Sequence, residues 1–172
     1  MQARGFRARL TDIRLNQLEL LAARESVSRV ATVSAPADQV LMVFPKAGEG
    51  THYWAERRLS LGDLVVISAA ARSLWRTTGP THWGAILLPT QMLSDCLHTM
   101  FGEQGHMPPP GLTLWRPRWP AFWALMKLHR AVVRYTVRQP EAPIETEAAH
   151  GLEQELLSAM VELLTDMSAK RD

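Results

Sequence analysis

In the stretch GEGTHYWAERRLSLGDLVVIS, residues 48–68, His52 stands four positions before Glu56, between a glycine turn (Gly48, Gly50) and the pair Gly62-Asp63. Imidazole and carboxylate are common ligands of divalent metals. Residues two apart on a strand project to one face, so ligands on a short stretch of strand can converge. His82 is the remaining candidate for such a set. Two ligands on one strand do not make a tight site, and the plain alternative is that His52 and Glu56 are strand residues, solvated or hydrogen-bonded. The expectation is therefore no bound metal and no cofactor. No G-x-S-x-G, P-loop or C-x-x-C motif occurs. His98 falls in an amphipathic helix and His106 in a proline-rich loop, while His129 and His150 lie in helices with no ligand-type residue four positions on. Structural roles are expected for all four.

The tryptophans carry a different chemistry. Trp54, Trp75 and Trp83 fall on three successive predicted strands. Rings gathered inside a barrel can line a pocket for a small organic molecule through stacking and apolar contact. Met42 and Phe44, two apart on one strand, share a face and are expected to join them. The alternative is that all five simply fill the core.

These residues need elements to hold them. From Arg9 to about Thr90 the chain reads as short strands: TDIRLNQLELLAA, SRVATVS, QVLMVFPK, THYWAERRL, DLVVIS, SLWRTT and HWGAILL. Turn signals separate them at Ala35-Pro36-Ala37-Asp38, at the Gly48–Gly50 segment, at Ser60-Leu61-Gly62-Asp63, at Ala69–Arg72 and at Gly79-Pro80. Even spacing of short strands predicts a sandwich or barrel rather than βαβ units. After Pro89 the pattern changes. A short helix is predicted over 90–101, with Thr90 as N-cap and Gly102 as its stop. A loop follows, then LTLWRPRW as a last strand or extended connector. A helix with Pro120 in its first turn comes next. The final helix, from Thr146, is the most regular: Ala148, Leu152, Leu156, Ala159, Leu163 and Met167 form one stripe, widened by Leu157, Met160 and Leu164. The organisation predicted is a loose N-terminus (1–8), a β-rich region (9–118) and C-terminal helices (119–168).

Composition sets the outer bounds. The 172 residues are 47% hydrophobic and 21% charged, enough for one domain with a core. No apolar run approaches the ~20 residues of a membrane span, and the arginine-bearing start has no apolar segment behind it to make a signal peptide. With Cys96 as the single cysteine, no internal disulfide forms. A cytoplasmic location is expected. Net charge is +2 and 16 of the 19 cations are Arg, dispersed without the basic run that tracks a phosphate backbone.

Two resemblances sharpen the reading. The segment around His52 resembles the cupin metal motif G-x5-H-x-H-x3/4-E-x6-G, with departures: Gly50 stands where the first His belongs, and Gly62 arrives one residue early. The chain from about Thr11 to Met167 resembles the N-terminal effector-binding domain of bacterial AraC-type transcription regulators. The resemblance rests on LSLGDLVVIS, on WGAILLPTQML, on the extended LTLWRPR before a long helix, and on EAAHGLEQELLSAMVELLT. It implies an α+β fold, a cupin-like jelly-roll β-barrel followed by α-helices, that binds a small effector and is not an enzyme. It also implies a homodimer formed through the last helix, by Leu152, Leu156, Ala159, Leu163 and Met167, with the alternative that this stripe packs against its own barrel. DNA contact would belong to a helix-turn-helix domain that does not occur in these 172 residues. The competing readings are a small cupin-type metal-dependent enzyme using His52 and Glu56, and a stand-alone antagonist that dimerises with a full-length regulator.

Overall fold

The computed structural model describes residues 5–140 and 144–168, with side chains of the last helix through Thr165. Ten strands and three long helices follow in chain order: β1 (Ala8–Arg14), β2 (Glu19–Glu25), β3 (Arg29–Ser34), β4 (Gln39–Lys46), β5 (Thr51–Trp54), β6 (Arg57–Leu59), β7 (Leu64–Ile67), β8 (Arg72–Thr78), β9 (Thr81–Pro89), α1 (Thr90–Phe101), β10 (Leu112–Trp115), α2 (Trp119–Arg138) and α3 (Thr146–Ser168). A short 3-10 turn at Gly102–Gln104 follows α1.

The strands form two antiparallel sheets. One has six strands in the order β1-β2-β9-β4-β7-β10, and the other four, in the order β3-β8-β5-β6. The sheets face each other as a jelly-roll barrel, and the helices cover the outer face of the larger sheet. Its central strand explains the layering. β4 is apolar at nearly every position because it is buried on both faces. Leu41 and Val43 point into the barrel with Trp54, Val65, Ile67 and Trp75. Val40, Met42 and Phe44 point the other way, into a core shared with α1, α2 and α3. Gly84, opposite Phe44 in the register, leaves room for that ring: a Cβ there would overlap the Phe44 side chain.

Two segments expected as single strands are hairpins. TDIRLNQLELLAA turns at 15–18 between β1 and β2. THYWAERRL turns at Ala55 and Glu56, whose φ values are 45° and 69°. Positive φ at both central residues suits the twist of a tight hairpin, but Asn-Gly usually marks it, so the sequence carried no warning. Ala69 and Ala70 repeat the device before β8. Thr90 is not the cap of α1. Pro89 holds the N-cap position, and the Thr90 amide donates to the Asp38 carbonyl at 2.8 Å. Gly102 ends the helix at φ 56°, and Pro120 lies in the first turn of α2, both as expected.

The helical layer is tied to the sheet by two buried polar residues. Glu153 of α3 accepts hydrogen bonds from the amides of Gln17 (2.6 Å) and Leu18 (2.8 Å) in the β1–β2 turn. His129 of α2 is fully buried. A carbonyl can only accept, so His129 Nε2–H donates to Leu21 O at 3.0 Å, and Nδ1 accepts from Lys46 Nζ at 3.3 Å. Burial first, and the Lys46 charge second, hold the His129 pKa down at about 3, so the ring is neutral. Burial, with Arg130 and Arg24 nearby, lowers Lys46 to about 8.

Candidate ligand site inside the barrel

The four-stranded sheet turns alternate residues inward. His52 and Trp54 of β5 and Trp75 of β8 share its inner face, with Trp54 directly opposite Trp75. Trp83 of β9 approaches from the larger sheet. The Trp54 and Trp75 rings stack at 5.3 Å, His52 stacks on Trp75 at 5.6 Å, and Trp83 meets Trp75 edge-on at 5.1 Å. Such pairs add about 0.5–1.5 kcal/mol each beyond the area they bury. His52, Trp54 and Trp75 are all buried.

Several polar atoms of this cluster have no partner. Four buried atoms, His52 Nδ1, Trp54 Nε1, Trp75 Nε1 and Thr81 Oγ1, have no hydrogen-bond partner among the described residues. Leaving a buried polar atom unpaired costs about 1–3 kcal/mol, and here two indole N–H donors (Trp54, Trp75), a hydroxyl (Thr81) and the imidazole Nδ1 of His52 carry that cost in one place. Burial lowers the His52 pKa, against an opposing pull from the His82 backbone and Glu25. The ring is therefore a neutral group at pH 7.

At the rim of the cluster a carboxylate and a guanidinium pair up. Glu25, at the end of β2, accepts from Arg29 Nε at 2.9 Å and from Trp83 Nε1 at 3.2 Å. The Arg29 guanidinium lies 4.9 Å from the Trp75 ring centre and 5.9 Å from that of Trp83, both within cation–π range. Sequence reasoning missed both residues. The signal available was a Glu and an Arg four apart across a turn, which by itself says nothing about facing inward.

Of the residues expected in the pocket, His52, Trp54, Trp75 and Trp83 come together. Met42 and Phe44 do not. They share a face, as expected, but it is the opposite face of the six-stranded sheet, where Phe44 packs edge-on against His129 at 5.0 Å. A period of two places them together without saying on which side. Glu56 is also removed from His52: it sits exposed in the β5–β6 turn while His52 points inward. Among the described residues no group of three His, Cys, Asp or Glu is arranged to hold a metal ion. Of the stripe on α3, Leu156, Ala159 and Leu163 are buried in the protein's own core, and Leu152 packs against it. The side chain of Met167 lies outside the described residues.

This is the fold of a cupin-like barrel with C-terminal helices. No family model matches the chain, and no curated protein does. Among solved structures the chain is similar to the AraC-like transcriptional activator CuxR, with a TM-score of 0.62 and 15% identity over 92% of this chain and 56% of CuxR. It is similar also to ToxT from Vibrio cholerae bound to (E)-4-(8-methylnaphthalen-1-yl)but-3-enoic acid, with a TM-score of 0.54 and 8% identity over 89% of this chain and 58% of ToxT. A cupin domain of an XRE-family transcriptional regulator from Enterobacter cloacae aligns over 48% of the chain with a TM-score of 0.38 and 11% identity, covering 95% of that domain. The chain thus spans little more than half the length of CuxR and of ToxT. At these identities the likeness is one of fold. No described helix is long and apolar enough to cross a membrane.

Proposed function

We propose that this chain is the small-molecule-sensing domain of an AraC-type DNA-binding transcription regulator, and that its effector binds inside the barrel against His52, Trp54, Trp75 and Trp83. The observation that carries the reading is the set of four unpaired buried polar atoms around a stack of aromatic rings. A flat molecule carrying both acceptor and donor atoms pairs them and keeps the stacking. An acid group on it finds Arg29 at the rim. The ligand bound to ToxT combines a naphthalene ring with a carboxylic acid, which makes aromatic acids the first compounds to try.

Two polar links give the barrel a way to speak to the helices. α2 is joined to β2 and β4 through His129, and α3 to the β1–β2 turn through Glu153. An effector that favours one arrangement of the sheet shifts the population of helix positions with it. DNA binding and dimerisation belong to the whole regulator.

The test is a titration with naphthoic, cinnamic and phenylacetic acids, followed by tryptophan fluorescence and thermal unfolding. Saturable quenching together with a rise in Tm is expected for at least one acid. The Trp75→Phe and His52→Phe variants, which keep an aromatic ring and delete the unpaired polar atom, should weaken it. Binding that is unchanged in both variants, or absent for all compounds including a wider metabolite panel, overturns the barrel as the effector site.

A further inference from the structure

The open edges of the two sheets hold a second feature. β6 is the edge of the four-stranded sheet and β10 the edge of the six-stranded one. Between them lies a cleft of about 320 Å³ lined by Arg57, Arg58, Asp63, Leu114, Trp115 and Arg116, within the size range of small-molecule sites. Its charges do not balance. The single carboxylate is engaged: Asp63 Oδ2 accepts from the Ser60 amide at 2.7 Å, and Oδ1 accepts from Arg116 Nε at 2.7 Å. Arg57 and Arg58 are exposed and have no carboxylate partner among the described residues. Both line the cleft, one on each face of β6. Trp115, half-buried, also lines the cleft and packs against the helix-facing core.

We propose that this cleft binds a small organic anion, a phosphate or carboxylate carried on a flat ring. Arg57 and Arg58 take the oxyanion, because a guanidinium presents paired donors that match two oxygens of one acid group. The Trp115 indole stacks on the ring. Asp63, just before β7, holds Arg116, just after β10, in place at the edge of the six-stranded sheet. The chain passes from Trp115 at the end of β10 to Trp119 at the start of α2 within a few residues, so an occupant here acts on the helical layer by a path that does not run through the barrel. The proposal is independent of the effector reading above.

The experiment is a titration of indole-15N-labelled protein with phenyl phosphate, benzoate and inorganic phosphate. The Trp115 N–H resonance is assigned through Trp115→Phe. Phenyl phosphate should shift that resonance saturably, with Kd near or below about 1 mM, and inorganic phosphate should bind more weakly. Affinity should fall about tenfold or more in Arg57→Ala/Arg58→Ala, and less in Arg57→Lys/Arg58→Lys, which keeps the charge and loses the fork. Trp115→Leu should erase the advantage of phenyl phosphate over inorganic phosphate. Both arginines are exposed, so an unchanged Tm is expected in both double variants. No movement of the Trp115 signal up to about 10 mM ligand, equal binding by the alanine variant, or shifts confined to Trp54 and Trp75 overturns the cleft. That last result places the anion in the barrel instead.

Discussion

The two faces of the six-stranded sheet are built on opposite terms. The face toward the helices is packed with Val40, Met42, Phe44, Leu88, Leu156 and Leu163, and its buried polar residues, His129 and Glu153, both have partners. The face toward the barrel meets large rings, and the indole N–H groups of Trp54 and Trp75 and Nδ1 of His52 there have no partner among the described residues. One face is complete as it stands. The other is packed tightly yet leaves buried polar atoms without a partner among the described residues. The difference teaches that tight packing and polar satisfaction are separate properties, and that function is better sought where the first occurs without the second.

The largest test of the contrast is on α3. Changing Leu156 and Leu163 together to Lys places two charges in the helix-facing core and should cost more than about 4 kcal/mol, leaving no cooperative unfolding transition. A folded monomer from that variant, seen by circular dichroism and gel filtration, means the stripe is an intermolecular surface and the helix-facing core is not closed. Next comes Glu153→Ala, which strands the Gln17 and Leu18 amides and should lower stability by about 2–3 kcal/mol in urea unfolding. Glu153→Gln keeps an acceptor and should recover part of that loss.

Acid provides a third and graded probe of the same face. The folded protein holds His129 near a pKa of 3, against an ordinary value of 6.5. Below pH 6.5 the unfolded chain takes a proton that the folded one refuses. Stability from this residue is thus constant above about 6.5 and falls as pH drops toward 3, by up to about 1.4 kcal/mol per pH unit. Lys46, lowered to about 8, has the same sign in a different window: its contribution rises between pH 8 and 10.5. His129→Gln should flatten the acid limb of the stability profile, and a limb of unchanged slope assigns the acid sensitivity elsewhere. The smallest effect belongs to the barrel. Trp54→Phe deletes an unpaired N–H and keeps a ring, so ligand-free stability should change by less than about 1 kcal/mol, while Met42→Ala on the opposite face should cost about 2–5 kcal/mol. Equal losses erase the distinction between the faces.

Particular elements show how much was legible beforehand. The last helix, the helix with Pro120 in its first turn and the stop at Gly102 were readable because period and turn chemistry are local. The hairpin at Ala55-Glu56 was not, since its positive φ values are imposed on residues that do not advertise them. That hidden turn is also why Glu56 read as a companion of His52 when the chain reverses between them. Glu25 and Arg29 were invisible as a pair at the aromatic cluster because nothing local tells a rim residue from a surface one.

The sequence by itself determined the class of fold and which residues share a face: strands before helices, His52 with Trp54, Met42 with Phe44, Leu156 with Leu163. Those follow from periods of two and 3.6, which any short stretch carries. Only the tertiary structure decided which face each set meets. It turned His52 and Trp54 toward Trp75, turned Met42 and Phe44 toward the helices, and buried Leu156, Ala159 and Leu163 of α3 in the protein's own core. The physical reason is that a face acquires its meaning from what packs against it, and the partners lie far away in the chain, as Glu153 does from the β1–β2 turn it holds.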